Sequence, residues 1–154
     1  MAKKLTLTEL NKLDAQNNKK EKVSILDGKY EVTINKIFKD SDIEEVLLIY
    51  STLLQNLNGA SVVELKNTYS LLITLILRQF TDLPIPTSND IDELVKVSKV
   101  LLDNNITAEV YSALPQDQLE HFHEKTTQVT GAIQKLFEQA TEKDKVEDSV
   151  DGLN

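Results

Sequence analysis

Two short runs of alternating apolar and polar residues flank an Asp-Gly pair at 27–28. Asp-Gly between alternating runs is the strongest short-range signal of a β-hairpin with a two-residue turn. Such a turn sets two apolar pairs on one face, Ile25 with Tyr30 and Val23 with Val32. A slip of one residue would scatter these side chains over both faces, so the register supports the turn. The sequence therefore predicts a hairpin over 22–34.

After the hairpin, apolar residues recur every three or four positions, which is typical of helices with one buried face. Two Ser-x-x-Glu capping boxes, at 41–44 and 61–64, mark the first two helix starts. Pro84 and Pro86 make the clearest break in the chain, because each lacks an amide donor. A short turn or helix follows near 107–114. The pattern predicts four principal helices, over about 42–57, 62–80, 90–103 and 116–140.

The composition fits a helical core built from aliphatic side chains. Of 154 residues, 40% are hydrophobic but only 5% are aromatic, and there is no Trp. We therefore expect a mainly α fold, a helical bundle-like single domain over 21–142 with an N-terminal β-hairpin. Both ends are expected to be disordered: residues 1–20 as a flexible basic segment and 143–154 as an acidic tail.

Charge argues against nucleic acid and membranes as partners. The formal net charge is -8, which opposes broad binding to phosphates or anionic lipid. The first 22 residues carry six lysines against three acidic residues but no arginine and no aromatic residue, so a flexible arm is favoured over a nucleic-acid contact. The most apolar stretch, 71–77, is far shorter than a membrane span, and no signal-peptide core is present. We expect a cytoplasmic protein.

The residues that carry chemistry form no catalytic pattern. The chain has no cysteine, and its four glycines form no phosphate loop. His121 and His123 are two apart on a predicted helix and point in different directions, so one metal ion cannot take both as ligands. Paired carboxylates such as Asp90 and Glu93 lie in first helical turns, where the helix dipole favours them. We expect no enzymatic activity, no catalytic residue, no metal and no cofactor.

The last predicted helix carries an apolar seam whose members alternate in spacings of three and four. Two interpretations stay open: the seam is the core face of this helix in a monomeric bundle, or it is an interface with a second copy or another chain. In the second case, the partner-binding residues are Leu119, Phe122, Val129, Ile133 and Leu136.

Over residues 20–103 the chain resembles the tail assembly chaperones encoded by phages and prophage-like elements of Gram-positive bacteria. The resemblance rests on the small, acidic, cysteine-free chain, on the hairpin sequence SILDGKYEVTI at 24–34, and on FKDSDIE at 38–44 followed by helices. It implies a non-enzymatic protein that binds the long, helical tape measure protein and keeps it soluble while tail-tube subunits polymerise. It further implies absence from the finished virion and, in many members, a longer frameshifted form. It assigns no individual residue.

We therefore expect a tail assembly chaperone whose partner is the tape measure protein. The alternative is a structural virion or morphogenesis subunit, such as a head-tail connector or tail component, that forms a homo-oligomer. A third hypothesis, a regulatory protein that mimics nucleic-acid charge or binds a transcription factor, rests on acidity alone. The sequence does not say which helical face binds a client or what the hairpin does. A lone hairpin is marginal in water, so it must pack on the helices, on a neighbouring subunit or on a client.

Overall fold

The computed structural model describes residues 2–55 and 65–128. It is mostly helical with a two-stranded antiparallel hairpin near the N-terminus, which confirms the predicted fold class. The elements are α1 (Leu7–Gln16), β1 (Lys20–Ile25), β2 (Tyr30–Asn35), α2 (Asp40–Gln55), α3 (Leu65–Phe80), α4 (Ile91–Asp103) and α5 (Ile106–Ala113). Residues 116–128 are also helical.

The chain divides into two compact units, Met1–Leu119 and Glu120–Asn154. The first unit holds the hairpin and α1 to α5. The single domain expected over 21–142 thus includes residues of both units. Everything described below about packing concerns the first unit unless stated otherwise.

The hairpin has the predicted register. Val23 pairs with Val32 and Ile25 with Tyr30, in antiparallel order. The turn closes through the amide of Lys29, which donates to the Leu26 carbonyl at 3.2 Å. Asp27 and Gly28 have positive φ angles, 57° and 80°, as the central residues of a type I′ turn do, and Leu26 before them is also left-handed, with a φ of 52°. The predicted register and the turn at Asp27-Gly28 are confirmed, but strand pairing ends at Ile25 and Tyr30, so four residues, 26–29, connect the strands instead of two.

Helix α3 is the centre of the first unit and contacts α2, α4 and α5. Its buried side chains include Leu71, Leu75, Leu77 and Phe80. The Phe80 ring stacks on Phe38, which lies between β2 and α2, with ring centroids 3.9 Å apart and planes 9° from parallel. The buried hydroxyl of Thr74 donates to the Ser70 carbonyl at 2.8 Å, so this polar group is satisfied inside the core.

Two helix starts can be compared with their sequence signals. Helix α2 begins at Asp40, because the amide of Ile43 already bonds the Lys39 carbonyl at 3.0 Å. Ser41 is thus inside the first turn and not the cap that the first capping box predicts. Helix α4 has Asp90 as its N-cap, whose carboxylate accepts from the amide of Asp92 at 3.0 Å.

The N-terminal segment, predicted as flexible over 1–20, contains α1. Thr6 caps this helix, since its hydroxyl accepts from the amide of Glu9 at 3.2 Å. No residue of α1 is buried. A side-chain ion pair joins Asp14 of α1 to Lys39 at 3.1 Å.

Several predictions concern residues outside those described. They are the capping box at 61–64, the end of the last helix between 129 and 140, and the acidic tail at 143–154. These stay predictions from the sequence.

Candidate functional site

An open apolar groove runs from the hairpin to α4 on the first unit. It consists of two adjoining clefts that share Pro84 and Ile106 as lining residues. The cleft at the hairpin has a volume of about 300 Å³ and that at α4 about 510 Å³. The two together are called the hairpin groove below.

Three parts of the chain line the hairpin groove. The hairpin contributes Ile25, Tyr30 and Val32. The segment after α3 contributes Leu83, Pro84 and Pro86, and α4 contributes Val97, Val100 and Leu101. Because most of these side chains are aliphatic or proline, the groove suits an apolar ligand surface and not a small charged substrate.

Backbone pairing fixes the hairpin to the segment after α3. The amide of Thr33 donates to the Asp82 carboxylate at 2.8 Å, and the amide of Asp82 donates back to the Thr33 carbonyl at 3.0 Å. Ile34 forms an isolated antiparallel bridge with Thr81 next to them. Part of the outer edge of β2 is therefore covered, which limits strand addition there.

Arg78 at the end of α3 holds the proline-containing wall of the groove. Its guanidinium donates to the carbonyls of Pro86 at 3.3 Å and Ser88 at 3.1 Å, and to the side-chain oxygen of Asn89 at 2.9 Å. Desolvation by burial lowers the pKa of Arg78, and the negative charge of Glu45 acts in the opposite direction. Arginine stays protonated after such a shift, so its guanidinium remains a donor to all three oxygens.

The hairpin turn is tied to α5 at the other side of the groove. The amide of Leu26 donates to both carboxylate oxygens of Glu109, at 3.3 and 3.2 Å. This bond and the contacts of α5 with β1 place Ile106, the first residue of α5, in the groove. The predicted hairpin therefore packs on the helices of its own chain.

The groove has an acidic rim. Among its lining residues, Glu31, Asp82 and Glu93 are acidic and Lys96 is basic. Glu31 also lies 3.5 Å from Lys22 in an exposed ion pair, which contributes little energy. Tyr30 and Val100 are exposed at the rim although both are large apolar side chains. A ligand with an apolar face flanked by cations would match this surface.

A second apolar surface lies on α1. Leu7, Leu10 and Leu13 recur every three residues and lie along one side of the helix. They are 74%, 48% and 49% exposed. Exposed leucines in a row, on a helix with no buried residue, are unusual for a surface without a partner.

The structure places only part of the predicted seam. Leu119 is half-buried, and Phe122 is 5% exposed. Val129, Ile133 and Leu136 lie outside the described residues. Leu119, the seam residue that lies in the first unit, does not line the hairpin groove. Whether the seam is a core face or an interface stays open.

Sequence reasoning missed the hairpin groove. The sequence shows prolines at 84 and 86, which predict a break between helices. It also shows apolar residues at 97, 100 and 101, which predict the core face of a helix. Nothing local indicates that the hairpin turn packs beside them, because the tie between Leu26 and Glu109 joins residues 83 positions apart.

The described residues are expected to hold no metal site, and their histidines and carboxylates are placed as follows. Within 2–55 and 65–128, no three His, Asp or Glu side chains come together in a way that could hold a metal ion. His121 and His123 lie on the helix at 116–128. In the same part of the chain, no helix combines the length and apolarity that crossing a bilayer requires.

Comparison with known proteins identifies one family. A family model described as YomO matches residues 7–153. No curated protein and no solved structure shows a significant match.

Proposed function

This chain belongs to the YomO family, a phage-related family, and we propose that it is a non-enzymatic tail assembly chaperone that binds the tape measure protein and keeps it soluble during tail morphogenesis. The phage-related family and the resemblance of residues 20–103 to tail assembly chaperones agree with this role. The place of action is the cytoplasm of the bacterial host.

The observation that carries the proposal is the hairpin groove. A chaperone for a long helical client needs an apolar surface that is open before the client arrives, and an amphipathic helix can lay its apolar face into a groove of this kind. The groove is open to solvent, and its lining is mostly apolar. Two sets of hydrogen bonds hold the walls of the groove: those donated by the Arg78 guanidinium and those between the Leu26 amide and Glu109.

Charge supports the second part of the role, which is solubility. The chain has a formal net charge of -8, and charge of one sign keeps complexes apart in solution. Three acidic side chains at the groove add a preference for client helices with lysine or arginine beside the apolar face.

The test is co-expression of this chain with its proposed client, the tape measure protein. The client expressed alone should be insoluble, and it should become soluble and co-purify when the wild-type chain is present. Val100→Asp places a charge in the groove and should reduce the co-purified client at least about tenfold. The control is Leu102→Asp, because Leu102 is also on α4 and 57% exposed against 52% for Val100, but does not line the groove.

Two results would overturn the proposal. A client that is equally soluble without this chain needs no such chaperone. Equal loss of binding in both α4 variants would remove the groove as the binding surface. Far-UV circular dichroism of each variant ensures that loss of binding is not loss of fold.

The alternative function, a homo-oligomeric virion or morphogenesis subunit, has one observation in its favour, the exposed leucines of α1. Such a subunit would be present in purified particles, whereas an assembly chaperone would be present in the cell lysate alone. Mass spectrometry of purified particles separates the two functions.

A further inference from the structure

The hairpin turn, residues 26–29, is held in an uncommon conformation. Leu26, Asp27 and Gly28 have positive φ angles of 52°, 57° and 80°. We propose that this turn is a gate with two conformations. In the closed one the Leu26 amide donates to Glu109, and in the open one Leu26 takes a negative φ and the cleft at the hairpin widens. The gate is a property of this chain and does not depend on which client the protein binds.

The first argument is the backbone of Leu26. A positive φ brings the Cβ of an L-residue close to its own backbone, which disfavours a leucine there roughly five- to thirty-fold. Glycine and aspartate tolerate this region, which accounts for Asp27 and Gly28 but not for Leu26. Four-residue connections are most often built around a type I turn, whose central residues have negative φ. A conformation without the strain at Leu26 therefore exists for this turn.

The second argument is how little holds the closed conformation. In the part of the chain that the structure describes, Glu109 is the hydrogen-bond partner that the turn has outside the hairpin. The two N–O distances, 3.3 and 3.2 Å, are longer than the roughly 2.7 to 2.9 Å typical of bonds to a charged group. Asp27, Gly28 and Lys29 are exposed. Strained residues persist where their surroundings hold them, and here the hydrogen bond that does so is one shared N–H.

The third argument is that the base of the hairpin is fixed. Thr33 exchanges two hydrogen bonds with Asp82. Just after β2, the Phe38 ring stacks on Phe80 of α3. These contacts hold β2 to the helices at the end away from the turn. A change of conformation at 26–29 therefore does not require the hairpin to leave the helices.

The fourth argument connects the turn to the cleft. Ile25 and Tyr30, the residues on either side of the turn, line the cleft together with Ile106. Ile106 and Glu109 are three residues apart on α5, so their side chains lie on the same side of this helix. The bond between Leu26 and Glu109 thus holds the hairpin wall of the cleft against its α5 wall. When this bond breaks, the two walls separate and Ile106 becomes more accessible.

The first test follows the backbone of residue 26 by NMR of the full chain. A positive φ places the amide proton of Leu26 close to its own Hα, so the wild type should show a strong nuclear Overhauser effect between them. In Glu109→Ala this effect should weaken, and the Leu26 amide should exchange with solvent at least about tenfold faster. Ser112→Ala, at an exposed position of α5, is the control and should match the wild type.

The core amide of Leu75 separates local opening from unfolding, because its exchange should accelerate less than that of Leu26 in Glu109→Ala. A Leu26 that keeps both its strong effect and its slow exchange without Glu109 overturns the proposal. Equal acceleration at Leu26 and Leu75 overturns it as well, since the turn would then open only with the whole fold.

The second test measures the strain. Leu26→Gly and Leu26→Ala both remove the isobutyl group, but alanine keeps the Cβ that a positive φ disfavours. After correction for intrinsic exchange rates, the amide of residue 26 should exchange at least about fivefold more slowly in the glycine variant than in the alanine variant. Exchange that is as fast in the glycine variant would show that no strain is relieved, and the two-conformation gate would be wrong.

The third test determines whether the cleft widens. The chain has no cysteine, so Ile106→Cys carries a unique thiol in the cleft. A maleimide should alkylate this thiol at least about twofold faster when Leu26→Ala is added than when Leu26→Gly is added. The charge around the thiol is the same in both backgrounds, and circular dichroism checks that each protein is folded. Equal rates would show that the turn does not control the cleft. All three tests use this chain alone, so their failure does not bear on the proposed client.

Discussion

The backbone amide of Leu26, in a left-handed conformation with φ of 52°, donates to both carboxylate oxygens of Glu109. A leucine with positive φ is uncommon because its Cβ crowds the backbone. Glu109 lies in the first turn of α5 and holds this turn residue from a distance of 83 positions along the chain. The pair joins the hairpin to the helices at the edge of the hairpin groove.

Glu109→Gln should lower the free energy of unfolding by about 1 kcal/mol. Glutamine keeps the size of the side chain but loses the charge, and hydrogen bonds to a charged acceptor are stronger than those to a neutral one. Urea unfolding measures the change, with Glu124→Gln, an exposed helical position, as the control. Equal stability of the two variants would show that the bond to Leu26 contributes nothing net.

Gly28→Ala should destabilise the hairpin by about 1 kcal/mol through backbone strain. Gly28 has a φ of 80°, and a Cβ at this position would meet no atom within 4 Å, so crowding is not the cause. Gly28→Asn is the matched variant, because asparagine tolerates positive φ. Thermal unfolding should therefore rank the wild type first, asparagine second and alanine last. An alanine variant at least as stable as the asparagine variant would contradict a left-handed residue at this turn.

Most elements of this fold follow from local sequence, whereas α1, which lies in the segment predicted as flexible, and the site do not. The sequence predicts the hairpin because Asp27-Gly28 indicates the turn and the alternation of apolar and polar residues indicates the register. The sequence predicts α3 because apolar residues lie on all sides of this helix, as expected of a helix buried among others. The start of α2 is predicted two residues late, because the capping box at Ser41 indicates a first helical residue at 42, whereas the amide of Ile43 bonds the Lys39 carbonyl and the helix begins at Asp40.

The groove depends on pairs far apart in the chain, for which no local pattern exists. The amide of Phe38 bonds the side-chain oxygen of Gln118 at 2.9 Å across 80 positions, in the same way that Leu26 meets Glu109. Such hydrogen-bonded pairs form when the hairpin packs on α3 and α5. The sequence shows that Pro84 and Pro86 interrupt the helices. It does not show that this segment forms a wall of the groove, because the wall depends on the hydrogen bonds from Arg78 to the carbonyls of Pro86 and Ser88.

Arg78→Lys should loosen the wall of the groove. Lysine keeps the positive charge but cannot donate to three oxygens with a planar guanidinium, so we expect a loss of about 1 kcal/mol in stability and several-fold less co-purified client. Asn89→Ala is the comparison, because it removes one of the three acceptors and leaves the two backbone carbonyls. It should have the smaller effect on both client co-purification and urea unfolding. A lysine variant that co-purifies as much client as the wild type would show that the groove does not need this support.

The seam on the last helix is tested with two substitutions. Phe122 is 5% exposed, so Phe122→Asp should lower stability by about 3 kcal/mol or more. Ile133→Asp should weaken co-purification with the client and leave far-UV helicity intact if the seam is an interface. Loss of helicity in Ile133→Asp would instead identify the seam as a core face. Circular dichroism and pull-down on the same preparations separate the two interpretations.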